Sequence, residues 1–217
     1  MPIAAHDAAY VVARTETALS GIGRYVLVTT SYAPDSQTGA PTVSKSWVVT
    51  GGNTVRNEVL GTTGSPVMGS VITTTAKATT VVSIDYRART WSTSTQPAQT
   101  SPGPGPLGQT PAQSAQSLQA SLAAGTATLV GRATVEGRST IEVEIRSSQW
   151  VQRTSVDPSS YPPVQEVDTA PGVAMTSPQA IRSDYEWLPP TAGNLALVTT
   201  TAAIPGGFTQ APAPAAR

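Results

Sequence analysis

Apolar and polar residues alternate through much of this 217-residue chain, and two stretches break the alternation with helical spacing. Period-two alternation marks a strand with one face on a core, whereas apolar positions three and four apart mark a helix. In residues 4–20, Ala8, Val11, Val12, Thr15, Ala18 and Leu19 form such a stripe, with Gly21 closing it, so a helix is predicted there. Strands follow at 24–32, 43–50, 53–60, 66–75, 78–84 and 89–95, with Gly51-Gly52 as a tight turn and Asp85 opening the last bend. Residues 96–113, rich in Pro and Gly, read as a long surface loop. A helix is predicted over 111–124, with Thr110 as N-cap and Pro111 at the first helical position. Further strands are predicted at 126–136, 138–146, 149–156, 162–167, 180–188 and 194–204, and residues 209–217 as a disordered tail. The order predicts a single α+β domain over residues 1–208, with an antiparallel sheet of about ten or eleven strands bent around its helices.

The stretch "STIEVEIRS" raises a chemical question, because Glu142 and Glu144 stand two positions apart. Alternation puts Ile141, Val143 and Ile145 on one face and Thr140, Glu142, Glu144 and Arg146 on the other. A catalytic pair needs one carboxyl with a raised pKa, through burial or an uncompensated like charge. Arg138 and Arg146 bracket these acids and favour ionisation of both, so the expectation is a solvent-facing strand surface.

Composition narrows the choices. Charged residues make up 12% of the chain and its formal net charge is zero, which leaves no basic field for a nucleic-acid backbone. No cysteine is present, which removes disulfides, thiolate catalysis and zinc–thiolate sites. His6 is the only histidine and sits in the first predicted helical turn, where an exposed residue is the ordinary reading. Asp85, Asp157 and Asp184 fall at turns or strand edges, where bonding to nearby backbone amides is the default. No acid cluster has the density of a calcium loop, and no phosphate-binding or nucleophile motif occurs. Neither a metal nor a cofactor is expected, and no enzymatic activity. The competing enzyme reading is a hydrolase using Glu142 or Asp184. No run approaches the roughly eighteen apolar residues of a spanning helix.

Two stretches carry a resemblance. "ATLVGRATVEGRSTIEVEI" followed by "VDPSSYPPV" resembles the strand–turn–strand and Val-Asp-Pro…Pro-Val pattern of the lipoprotein-carrier superfamily, the LolA/LolB-like proteins. "SDYEWLPPTAGNLALVTTTAAIPGGF" is similar to the carboxy-terminal segment of envelope proteins of high-GC bacteria related to that superfamily and to sigma-factor regulatory periplasmic sensors. The likeness covers roughly residues 4–208, with motif-level match at 85–91, 129–164 and 184–208. It implies a strongly curved antiparallel sheet, an incomplete barrel, with helices on its concave side over an apolar cavity. The chain departs from the pattern in lacking a lipobox cysteine and a second sensor-type domain, and in its long 96–113 loop.

What the resemblance implies is a non-enzymatic, monomeric domain on the outer side of the cytoplasmic membrane, the soluble part of an anchored or exported protein. It would bind a lipid or other apolar ligand, with Trp47, Met68, Ile84, Trp91, Ile141 and Val143 lining the space. The alternative it leaves open is a sensor or interaction domain for a regulatory membrane protein, without a ligand cavity. Read as residues alone, these apolar side chains equally fit an ordinary filled core.

Overall fold

The computed structural model describes residues 7–21, 25–34, 40–98 and 119–212. His6 and most of the 96–113 loop lie outside these, as does the predicted helix 111–124 apart from residues 119–123, which are helical. Helix α1 spans Ala8–Gly21 and buries Val11, Val12, Thr15 and Leu19, the stripe read from the sequence. Asp7 begins it, its Oδ1 accepting from the Tyr10 amide at 2.9 Å.

Among the described residues twelve strands form one sheet: β1 Val26–Pro34, β2 Pro41–Val49, β3 Thr54–Leu60, β4 Pro66–Thr74, β5 Ala78–Asp85, β6 Thr90–Pro97, β7 Ala127–Val135, β8 Arg138–Arg146, β9 Val151–Val156, β10 Pro163–Thr169, β11 Ile181–Leu188 and β12 Thr209–Gln210. Their order is β12-β6-β5-β4-β3-β2-β1-β11-β10-β9-β8-β7. The sheet is mostly antiparallel, and β12 runs parallel to β6 through Thr209–Thr90 and Gln210–Trp91. Thr209 and Gln210 were expected in a disordered tail; pairing with the β6 edge orders them instead.

The chain divides into two compact units. The first takes Met1–Gly23, Ser31–Pro41 and Gln109–Glu186. Its core joins Val11 and Val12 of α1 to Ala127, Ile141, Val143, Ile145, Val156 and Tyr161. The predicted apolar face of β8 is therefore the one α1 covers. The "VDPSSYPP" turn seats the helix. Asp157 Oδ1 accepts from the amides and hydroxyls of Ser159 and Ser160, which outweighs partial burial and holds its pKa down at about 2. The turn leaves Tyr161 at a φ of 67°, uncommon for a bulky residue. Its buried ring packs edge-on against Tyr10 at 6.2 Å, with the Arg14 guanidinium 5.3 Å over it.

The expectation that Glu142 and Glu144 stand in water is corrected here. Glu144 is 5% exposed, and the Glu142 side chain 16%. Arg146 and Arg153 both bind Glu144 at 2.6 Å, and Glu142 lies 3.8 Å from Arg153 and 3.3 Å from Ser155 Oγ. Burial opposes ionisation of Glu144, but hydrogen bonds from Arg153 and Arg146 outweigh it and hold its pKa below the ordinary value. Arg153 is the cross-strand partner of Glu144, so the neutralising charge arrives from β9.

The second unit takes Arg24–Thr30, Thr42–Gly108 and Trp187–Arg217. Residues 194–204 were expected as a strand, and the structure makes two short helices there, α2 (Ala192–Ala196) and α3 (Thr200–Ala203). Thr191 caps the first by accepting from the Asn194 amide, and Thr199 caps the second through the Ala202 amide. Threonine spacing thus sets helix starts where β propensity suggests extension. One cluster packs Val26, Val28, Trp47 and Val49 with Val198; a second packs Val71, Val82 and Ile84 with Ala203.

Candidate functional site

Strand register divides the second unit's sheet into two faces of different chemistry. On one face Glu58, Gly69, Ile84 and Trp91 form a row across β3 to β6, beside the row Arg56, Val71, Val82 and Thr93. α2 and α3 cover this face. Arg56, lying 4.5 Å over the Trp47 ring, donates from Nη1 to the Leu197 carbonyl at 3.1 Å and from Nη2 to Glu58 at 2.5 Å. The Tyr86 hydroxyl, shared between Glu58 Oε1 and the Ala203 carbonyl, has its pKa pushed up to about 12 by burial and then by the Glu58 contact. This polar knot fastens the helical segment to the sheet.

The opposite face carries the row Asn57, Ser70, Ser83 and Ser92, next to the row Val59, Met68, Asp85 and Thr90. On the other side of the serines runs Val55, Ile72, Val81 and Ser94. A groove of about 350 Å³ on this face is bordered by the Asn57 and Val59 rows and, at β12's end, by Ala211. Val59 and Met68 are cross-strand partners on its rim, 37% and 61% exposed.

The six residues singled out from sequence fall into three places. Met68, Ile84 and Trp91 border the groove. Only Met68 can turn its side chain into it, because alternation sends those of Ile84 and Trp91 to the helix-covered face, where they pack around Ala203. Trp47 lies in the cluster with Val198. Ile141 and Val143 belong to the first unit's core beneath α1. The structure thus does not gather the six around one space.

Sequence reading missed Val59 and the serine row, since no single strand displays a row that crosses four of them. It also missed Glu166 and Asp168 of β10. These lie on the same face as Val143 and Ile145, reached through Thr154 and Gln152 of β9. Burial, and then the neighbouring Asp168 charge, pushes Glu166 up to about 7, and burial raises Asp168 as well. The signal in "VQEVDT" was the reversed parity, with acids on the core side of the alternation. Asp85 and Asp157 bond their own turns as expected, whereas Asp184 takes a hydrogen bond from Gln165 across the strands and pairs with Arg182. Among the described residues no group of three or more His, Cys, Asp or Glu is placed to hold a metal ion. No described helix is long and apolar enough to cross a membrane.

No family model matches the sequence, and no curated protein matches it. Solved structures do. LprF from Mycobacterium bovis is 14% identical, the likeness covering 85% of this chain and 94% of that one at a TM-score of 0.50. The Mycobacterium tuberculosis lipoprotein LppX is 10% identical over 85% of this chain and 96% of its own, with a TM-score of 0.49. A LolA superfamily protein from Nitrosomonas europaea is 10% identical over 91% and 99%, with a TM-score of 0.33. At such identities the likeness is one of fold. The fold of this chain is similar to that of LprF.

Proposed function

We propose that this chain is a non-enzymatic binding domain of the cell envelope whose ligand is apolar and lipid-like, held in the groove of the second unit. The observation that supports it is the pair Val59 and Met68, exposed side by side on the rim of a groove of about 350 Å³. That volume is at the small end of ligand sites, which suits one chain and not a bulky multi-chain lipid. The helix-covered face is occupied by the protein's own Trp47, Val71, Val82 and Ile84, packed with Val198 and Ala203. The groove is thus the apolar surface that a ligand reaches without displacing α2 and α3.

Completing the burial of Met68 and Val59 contributes about 1–3 kcal/mol, and a ligand of roughly fifteen heavy atoms at about 0.3 kcal/mol each reaches submillimolar affinity. The non-enzymatic reading is supported by Glu144, held ionised by Arg153 and Arg146 and so a poor proton donor. Placement in the envelope rests on the resemblance read in the sequence. The test is titration with a small fluorescent apolar probe, N-phenyl-1-naphthylamine, on the native chain and on Met68→Glu. Saturable binding weakened about fivefold or more by the charge supports the groove. No binding, or binding indifferent to Met68→Glu, removes it.

A further inference from the structure

The two ends of the groove differ in chemistry. Over β3 and β4 the rim is Val59 and Met68; over β5 and β6 the same row continues as Asp85 and Thr90, with Ser83 and Ser92 beside them. The rim is therefore apolar at one end, with Asn57 and Ser70 beside it, and at the other end hydroxyls stand around a carboxylate. Among the described residues no lysine or arginine borders the groove. Asp85 is held in place, since its Oδ1 accepts from the Arg87 and Ala88 amides at 2.9 and 2.8 Å. Of the nearby cations, Arg89 is turned to the Phe208 ring, 6.0 Å from its centroid.

We propose that the groove selects a single-chain amphiphile with an uncharged, hydroxyl-bearing head group of the glycerol type. This rests on the reading of the groove as the apolar-ligand site and adds the ligand's polarity and orientation. The chain lies over Val59 and Met68, and the head lies over Asp85, Thr90 and Ser92. Hydroxyl groups both donate and accept, which matches serine and threonine hydroxyls beside a carboxylate that only accepts. An anionic head of the same length meets the Asp85 carboxylate, and no described lysine or arginine lines the groove beside it. Two like charges at about 4 Å repel by roughly 1 kcal/mol even in water, and more where the ligand excludes solvent.

The experiment competes 1-decanoylglycerol and decanoate, each below its micelle-forming concentration, against bound N-phenyl-1-naphthylamine at pH 8. Decanoate is anionic there and otherwise shares the acyl chain. The expected result is that the monoglyceride displaces the probe at about fivefold lower concentration or less. In Asp85→Asn, which keeps a turn acceptor, the preference shrinks to about twofold or vanishes. Equal displacement by both compounds in the native chain overturns the inference and leaves the apolar-ligand reading standing. A preference that survives Asp85→Asn overturns it as well. Failure of the probe itself to bind removes both.

Discussion

The hydroxyl of Tyr86 lies 2.8 Å from the carbonyl oxygen of Ala203, across 117 residues of chain. The same hydroxyl reaches Glu58 Oε1 at 2.9 Å, so one side chain joins the β5 turn, the floor of the sheet and helix α3. Gly69 makes room for it: a Cβ there would lie 3.0 Å from Tyr86 Cε2 and 3.2 Å from the Asn57 carbonyl.

Tyr86→Phe is therefore expected to destabilise the chain by about 1–3 kcal/mol, since it leaves the Ala203 carbonyl without this donor. The melting temperature should fall by about 2–4 °C for each kcal/mol. The folded-state pKa, raised from 10.0 to about 12, sets the sign with pH. The contribution of Tyr86 is fully present below pH 10 and is lost as pH rises through about 12. Urea unfolding at pH 7 and pH 11 checks both points, and a variant as stable as the native chain at pH 7 refutes the role of the knot. Gly69→Ala should destabilise in the same direction through the Tyr86 ring.

The second prediction concerns the buried carboxylate of the first unit. Glu144→Gln weakens contacts to both Arg146 and Arg153 and should cost about 1–3 kcal/mol. Glu142→Gln, with a single 3.8 Å ion contact, should cost less than about 1 kcal/mol. Because the folded pKa of Glu144 is lowered, its stabilisation is present above the ordinary value of 4.5 and is lost as pH falls through the lowered folded value. Equal effects of the two substitutions in chemical denaturation would show that the arginine contacts do not distinguish them.

Much of this was legible in the chain, and the exceptions have physical causes. Period-two alternation placed Ile141, Val143 and Ile145 under α1 and set the strand boundaries to within a few residues. The burial of Glu144 was not legible, because Arg153, which makes it tolerable, stands nine positions away on another strand. Residues 194–204 looked extended because threonine and valine favour strands; Thr191 and Thr199 act there as caps. The groove was legible only through Met68. Its serine row is a relation among four strands, visible once register is known.

A third prediction tests the turn that seats α1. Asp157→Ala removes one oxygen that takes four hydrogen bonds from Ser159 and Ser160, and should cost about 1–2 kcal/mol at pH 7. The pKa of Asp157 is lowered from 3.8 to about 2, so the stabilisation holds above pH 3.8 and fades as pH falls through about 2. Near-ultraviolet circular dichroism should report a loosened Tyr161 before the fold is lost. A native-like tyrosine signal with unchanged stability would mean that the turn does not need its acid.

The last prediction reverses the usual sign for a carboxyl group. Glu166 lies between Thr154 and Ser183 in its row, and Asp168 between Gln152 and Ile181. No salt bridge to either acid is present among the described residues. Hydrogen bonding from Gln152 and Tyr185 favours the Glu166 anion, but burial and the Asp168 charge prevail, and the pKa rises from 4.5 to about 7. Its protonated form suits the fold, so this contribution is full below pH 4.5 and is lost as pH rises through about 7. Glu166→Gln replaces the acid with a neutral side chain of nearly the same shape. It should leave stability at pH 4.5 nearly unchanged and raise it at pH 8.5 by about 1–2 kcal/mol, discounted for the part of the side chain that meets water. The same change removes the charge that Asp168 faces, so the downward slope of stability with pH between about 5 and 8 should flatten in the variant. Urea denaturation across that range measures the slope. A variant less stable than the native chain at pH 8.5 would mean that the Glu166 anion is welcome where it sits, and that the interior face of β10 is wetter than its packing against β9 and β11 implies.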